Sequence, residues 1–391
     1  MSSVQTLPLT GDLTPALHAL GWNWAAEDAA VRYIAPVAVV LPEAEAEQLL
    51  QAADMLYDML VQALPDELPD DLLRLLSIPE NLWPLVRHSW PDDRHWHLYG
   101  RFDLALTKEG PKLIEFNADT ATSLPEAAVV QWAALKAAGY PDDAHQVNGL
   151  YEGLVEQLRQ WRELNDDLEP TLLLVYLPAA PEDEANCAVL AEAAREAGFE
   201  PYLCPVDDMQ VSVMGEERGV WAQVEPEQWQ RFGFLFKLVP WEIMAAEEPA
   251  LTADLGELLQ ARDVVVANPA YALLFQSKAL LAWLWNVFPH HPLLLEASLQ
   301  PLAGHAVRKP VWGREGQNVT ILNGGAVQSA APGEFDGQPV VYQRWAELPR
   351  DAAGRQYQAG VFWAGEACAI GFRRETGIIH NLSEFVPHVV R

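Results

Sequence analysis

Two alternating stretches separated by a turn constrain this chain more than anything else in it. Leu98 to Leu106 and Lys112 to Asn117 alternate apolar and polar residues with period 2, the pattern of half-buried strands. Between them lies Thr107-Lys108-Glu109-Gly110-Pro111. A three-residue loop ending in a glycine of positive φ takes Lys108, Glu109 and Gly110 as the turn and sets Thr107 opposite Pro111. Counting back puts Asp103 opposite Glu115 and Arg101 opposite Asn117, all on one face of the hairpin. Phe102, Leu104, Ile114 and Phe116 then project from the other face into the core.

Two carboxylates directly across a ladder repel unless a cation sits between them. Arg101 can supply that cation diagonally, which makes the group a structural ion-pair cluster. The sharper alternative is a Mg²⁺ site, in which Asp103, Glu115 and the Asn117 carbonyl offer hard oxygens to a metal that also takes phosphate oxygens.

The 391 residues suffice for two or three domains around substantial cores. Half are hydrophobic and 20% charged, a globular composition. A net charge of −30 argues against nucleic acid and anionic membrane surfaces, which both recruit Lys and Arg. Cys187, Cys204 and Cys368 are too few and scattered for a disulfide framework or a zinc site and read as buried small hydrophobes. No secretory h-region and no apolar run of membrane-spanning length is present, so a cytoplasmic location is expected. The histidines form no metal signature: His95 and His97 share a strand face without a third ligand. No Ser or Cys lies in a nucleophile-elbow sequence, which leaves acyl-enzyme chemistry without support.

Residues from about Thr14 to Leu85 read as mainly helical, with Pro42 opening a segment whose Leu49, Ala53, Leu56 and Leu60 recur at i+3 and i+4. After the hairpin, Ser123 is placed to cap a helix with Glu126 in capping-box position, leaving Thr120 and Thr122 to face a ligand. Thr171 to Tyr176, Asp183 to Gly198 and Pro201 to Cys204 read as strand, helix and strand, a βαβ-like unit. Phe234 to Leu238 and Val264 to Val266 add strands to it. Three units are therefore expected: 1–169 with the hairpin, an α/β substrate domain at 170–270, and 271–391.

In the last unit the strand His305 to Val311 feeds the loop Trp312-Gly313-Arg314-Glu315-Gly316-Gln317-Asn318. It is neither a P-loop nor a dinucleotide fingerprint, and an ordinary hairpin loop fits it as well. Only six lysines occur in the chain, and Lys278 and Lys309 both lie in apolar surroundings where an ammonium needs a partner such as phosphate. Helix-surface snorkelling for Lys278 and a strand ion pair for Lys309 are the plainer alternatives. Of Arg373 and Arg374, adjacent on a strand, one should be structural.

Gly100-Arg101-Phe102-Asp103, Leu113 to Thr120, Thr122-Ser123-Leu124 and Glu126 to Trp132 closely resemble the synthetase domain of the glutathionylspermidine synthase family. Lys278, the Lys309-Pro310 loop through Asn318, and Phe385-Val386-Pro387-His388 look like the same family, whereas the middle region aligns poorly. The resemblance implies an α+β, ATP-grasp fold with an α/β substrate domain and a mobile glycine-containing lid, and an ATP-dependent carboxylate–amine ligase using ATP and Mg²⁺. It makes Asp103, Glu115 and Asn117 magnesium ligands and Arg101 the residue that stabilises transferred phosphoryl charge. Lys278 and Lys309 contact ATP, the Gly313, Glu315 and Gly316 loop is the lid, and Gln343 falls in the adenine connector. Thr120 and Thr122 lie near a thiol-peptide substrate, and Arg373 near the arginine that closes over the site. Glu182, Asp183 and Glu184 could hold a polyamine, though solvated carboxylates at a helix start explain them equally. The chain begins directly in the synthetase region, without the Cys/His amidase domain of bifunctional members, so no hydrolytic activity is expected.

The expected chemistry joins a small-molecule acid to an amine through an acyl phosphate, by positioning and charge stabilisation. A small-molecule phosphotransferase and a non-catalytic ATP-binding protein stay open beside it. A homodimer is the assembly kept open.

Overall fold

The computed structural model describes residues 4–19, 21–22, 25, 33–141, 145–178 and 180–391. Among the described residues it is an α+β fold in which five sheets divide the work. The central one is antiparallel and five-stranded, in the order Glu384–Val386, Glu366–Glu375, Gln356–Ala364, Gly100–Thr107, Gly110–Asn117. The hairpin therefore shares its sheet with the C-terminal strands: Phe102 pairs with Val361 and Asp103 with Gly360. Phe102 and Phe116 stack at 3.9 Å on the core face, both buried, and the alternation of the strands turns Asp103 and Glu115 to the opposite side.

The turn differs from the expected one. Lys108 and Glu109 alone make it, with Thr107 opposite Gly110. Leu104 then faces Leu113, and a bulge at Ile114 absorbs the one-residue offset, so that Asp103 still faces Glu115 and Arg101 still faces Asn117. Ile114 is not in the core as expected: the bulge turns it into the cleft, and Leu113 takes the buried place.

A four-stranded parallel sheet follows, ordered Val265–Ala267, Phe234–Lys237, Thr171–Tyr176, Glu200–Pro205. Thr171–Tyr176, Phe234–Lys237 and Val265–Ala267 are largely buried and mostly apolar, whereas the edge strand Glu200–Pro205 buries only Cys204. Pro181–Glu196 is the crossover helix: proline starts it, three carboxylates favour its positive end, and Gly198 stops it at φ +88°. An antiparallel excursion, Gln210–Ser212, Gly219–Glu225 and Gln228–Phe232, interrupts the parallel order.

The third large sheet is antiparallel: Ala297–Ser298, Val340–Arg344, His305–Pro310, Thr320–Asn323, Ala326–Ala330. Its last two strands flank a Gly324-Gly325 turn and were not anticipated. In the N-terminal part the helix Glu43–Gln62 buries Leu49, Ala53, Leu56 and Leu60 as its periodicity dictates. The mainly helical reading of Thr14 to Leu85 is interrupted at Val37–Leu41, a strand that pairs in parallel with His388–Val390; residues 20, 23–24 and 26–32 of that span lie outside the described residues. His95 and His97 lie before the strand that begins at Gly100, not on it. Among the described residues no helix is long and apolar enough to cross a membrane.

Candidate active site

A cleft of about 290 Å³ opens between the central sheet, the His305–Pro310 sheet and the start of the Pro181–Glu196 helix. Arg101, Asp103, Glu115 and Asn117 form one wall. Arg101 donates from Nε to Asp103 Oδ1 at 2.7 Å and from Nη2 to Oδ2 at 3.2 Å, while Nη1 reaches the Thr122 carbonyl at 2.9 Å. Asn117 Nδ2 donates to Asp103 Oδ2 at 3.3 Å. Burial opposes the charge on Arg101, yet Asp103 and Glu115 hold its pKa above the usual guanidinium range. Among the described residues no three His, Cys, Asp or Glu side chains gather as a metal cage; the hairpin offers two carboxylates and an amide.

Two lysines face this wall. Lys278, at the start of the Ala279–Val287 helix, lies 3.3 Å from Glu115 Oε2 and donates to the Gly313 carbonyl at 2.7 Å. Lys309 donates to the Ile114 carbonyl at 3.1 Å and to Gln343 Oε1 at 2.9 Å, and Gln343 Nε2 donates to the Leu113 carbonyl at 2.9 Å. Consecutive carbonyls of a regular strand point opposite ways, and the bulge at Ile114 lets two of them serve the same neighbouring sheet. Burial raises the Glu115 pKa, but Lys278 and Lys309 outweigh it and hold the carboxylate below its ordinary value. Burial pushes Lys309 down to about 8, the Glu115 charge opposing.

The loop from Gly313 to Gly316 closes one side. Gly316 has φ +71°, and a Cβ there would meet the Ile379 carbonyl at 2.4 Å, so this packed position favours glycine. Arg314 donates to Thr120 Oγ1 at 2.9 Å and pairs with Glu242. Near Lys309 the lining turns apolar, with Ile114, Val307, Ile321 and Trp345.

The far end is polar. Arg373 donates to Ser123 Oγ at 2.8 Å and to Tyr33 Oη at 2.9 Å, lies over the Tyr33 ring and approaches Glu126 Oε1 at 3.9 Å; Tyr33 donates to Glu126. Ser123 is therefore no helix cap. Its φ of +77° turns the hydroxyl to Arg373, and Asn186 Oδ1 accepts from the Leu124 N–H instead, at 2.9 Å. Arg374 points the other way, buried on Glu384 and Tyr357. Glu182 and Asp183 line the cleft, and burial with neighbouring carboxylates lifts Asp183 to about 6. Glu184 does not line it: one further step around the helix leaves it exposed.

Most of the anticipated residues thus meet in one cleft: Arg101, Asp103, Glu115, Asn117, Thr120, Thr122, Lys278, Lys309, the loop glycines, Glu315, Gln343 and Arg373. Sequence reasoning missed Arg314, Glu242, Tyr33, Glu126 and the buried pair Lys237–Asp119 at 3.0 Å. Lys237 carried a usable signal, a lone ammonium ending the apolar run Phe234-Leu235-Phe236.

A family model described as glutathionylspermidine synthase preATP-grasp matches residues 5–391. A Haemophilus influenzae protein provisionally named an acid–amine ligase is 29% identical over 404 residues, spanning 99% of both chains. The bifunctional glutathionylspermidine synthetase/amidase of Escherichia coli is 28% identical over 90% of this chain and 58% of its own length. Trypanothione synthetase of Crithidia fasciculata is 28% identical, over 84% of this chain and 52% of its own. This chain therefore spans little more than half of those two enzymes. Among solved structures, a glutathione synthetase like-effector from Globodera pallida superposes with a TM-score of 0.55 over 97% of each chain at 10% identity, a likeness of fold.

Proposed function

The chain belongs to the glutathionylspermidine synthase family, and from that membership we propose an ATP-dependent carboxylate–amine ligase built on an ATP-grasp fold. In this reading the adenine of ATP lies among Ile114, Val307, Ile321 and Trp345, and the phosphates run toward Lys278, Lys309 and the glycine loop. Gln343 holds Lys309 in place, and Gly313, Glu315 and Gly316 form a lid over the nucleotide.

The donors at hand suit magnesium. Asp103 and Glu115 face each other with Asn117 beside them, a set of hard oxygens that would receive the ion although Arg101 and Lys278 already balance the two carboxylates. Bound there, the ion would neutralise phosphate charge and hold oxygens of the transferring group in place. Arg101 is fixed at all three nitrogens by Asp103 and Thr122, so its charge is oriented before the reaction begins. An oxygen of the substrate carboxylate attacks the γ-phosphorus, the bond to ADP breaks, and an acyl phosphate forms. The amine nitrogen, having lost a proton, then attacks the acyl carbon, and inorganic phosphate leaves. Arg373 closes the far end of the cleft over the reacting groups.

Thr120 and Thr122 face the acid, by family likeness a peptide or thiol peptide. The acidic corner of Glu182 and Asp183 faces the amine or polyamine, with Glu184 on its exposed side. The single observation that carries the proposal is the convergence of Asp103 and Glu115 with Arg101, Lys278 and Lys309 in one cleft beside a glycine loop.

The test is ADP release over a matrix of thiol peptides, amino acids and polyamines, with mass spectrometry of products and glutathione plus spermidine as the first pair. An amide formed with ADP supports the ligase. A stable phosphorylated acid would make the protein a phosphotransferase. Thermal stabilisation by Mg-ATP with no ADP from any pair would make it a binding protein.

A further inference from the structure

Behind the cleft wall four charged side chains alternate in sign. Lys237 Nζ lies 3.0 Å from Asp119 Oδ1 and 4.3 Å above the Trp241 ring. The backbone N–H of Trp241 donates to Asp119 Oδ2 at 2.9 Å. The next residue, Glu242, pairs with Arg314, whose other Nη donates to Thr120, the residue following Asp119. Glu242 acts electrostatically on both Asp119 and Lys237, so the four form one cluster. With Arg314 in place it holds two positive and two negative charges. Without Arg314 a net negative charge remains where Asp119 is 0% and Glu242 8% exposed.

Removing one partner from a buried pair strands the other charge away from water, which is strongly unfavourable. Three of the four groups sit on the hairpin end, the parallel sheet and the Trp241–Glu247 helix; Arg314 alone comes from the loop. The loop therefore leaves the cleft only by unbalancing this cluster. The pair is also breakable. Arg314 Nε and Glu242 Oε2 are both buried without a partner among the described residues, so one bond joins the two side chains where a fork would use two.

We propose that Glu242 is a positioning residue that draws the Gly313–Gly316 loop shut across the cleft through Arg314, and that this closure keeps water off the activated acid. The second half rests on the ligase reading. Without the latch, water attacks the acyl phosphate in place of the amine, giving free acid and phosphate, so that ADP forms without a matching amide.

Arg314 is itself a trypsin site, which supplies a readout independent of activity. Cleavage of the Arg314–Glu315 bond is compared in the intact wild-type chain and in Glu242→Gln. The open population sets this rate, and the variant is expected to be cut about tenfold faster there, with other sites unchanged. Equal rates at Arg314 overturn the latch. Should Glu242→Gln unfold, shown by acceleration at every Arg and Lys, Glu242→Asp replaces it, keeping the charge but shortening the reach. In turnover the wild type is expected to release one ADP per amide and the variant more than one; a ratio unchanged in a faster-cut variant overturns the water-exclusion claim. A wild type that makes no amide from any pair defeats the ligase reading and leaves the cleavage comparison to decide the latch.

Discussion

Lys278 Nζ stands 3.3 Å from Glu115 Oε2 and donates to the Gly313 carbonyl at 2.7 Å, so one ammonium ties the acidic hairpin to the glycine loop. The pair is largely shielded, with Lys278 7% and Glu115 25% exposed at their side chains. A structural ion pair and a phosphate-binding lysine are usually alternatives, but here the same contact orients the lysine for a third party. An anionic ligand entering the cleft would meet an ammonium already held between a carboxylate and a carbonyl.

Replacing Lys278 by Met should cost the fold on the order of 3 kcal/mol, because Glu115 keeps its charge with less to balance it. Lys278→Met/Glu115→Gln should regain most of that loss, as neither charge is then stranded. Urea unfolding measures both. In turnover Lys278→Met should lose on the order of 10²–10³ in ADP release through loss of a preorganised charge. A single variant as stable as the wild type would deny the pair any structural role.

How much of this was legible differs from element to element. The face shared by Arg101, Asp103, Glu115 and Asn117 follows from period-2 alternation alone, which a strand imposes whatever it pairs with. The turn and the bulge were not legible: Lys108-Glu109 lacks the Asn-Gly or Asp-Gly of a strong two-residue signal, and a bulge answers to the neighbouring sheet. The strand Val37–Leu41, which lies between Thr6–Pro8 and His388–Val390, was missed in part because the second of these partners lies at the other end of the chain. Ser123 looked like a cap because Glu126 stands three residues on, yet both side chains are claimed by Arg373 and Tyr33. Lys237 showed its need for a partner locally, but which distant residue answers it, Asp119, leaves no local trace.

Lys309 titrates with a sign that is easily mistaken. Its pKa falls from the usual 10.5 to about 8 on folding because burial disfavours the ammonium. Below about 8 both folded and unfolded chains carry the proton, and the burial penalty stands in full. Between about 8 and 10.5 the folded chain has released it while the unfolded chain has not, so stability rises with pH, by on the order of 3 kcal/mol. Lys309→Met should lack this rise in unfolding experiments from pH 7 to 10.5. ATP affinity should move the opposite way in the wild type, weakening above about pH 8 as the ammonium is lost, and a flat profile would remove Lys309 from the phosphate site.

Asp183 offers a second pH test at the other end of the cleft. Burial, then Glu182 and Glu315, hold its carboxyl up at about 6. A group raised in this way is protonated in the folded chain between its ordinary value and about 6, so its negative charge appears only above that. If the acidic corner receives a cationic amine, KM for the amine should fall as pH rises through about 6, and Asp183→Asn should flatten the change. An amine KM indifferent to pH in the wild type would place the amine elsewhere.

The bulge itself makes Ile114 and Leu113 testably different. Ile114 lines the cleft near Lys309, whereas Leu113 is 1% exposed in the main core. Ile114→Ala removes apolar surface facing the proposed adenine position but keeps the carbonyl that accepts from Lys309. It should raise KM for ATP by about tenfold, the equivalent of about 1.4 kcal/mol of lost burial, with little change in kcat. Leu113→Ala should do the reverse, destabilising the fold by about 2–5 kcal/mol through an unfilled cavity while leaving KM near the wild-type value. Steady-state kinetics beside thermal unfolding separate the two. If instead Ile114→Ala unfolds early and binds ATP normally, Ile114 sits in the core as a bulge-free hairpin would have it, and the cleft loses its apolar wall.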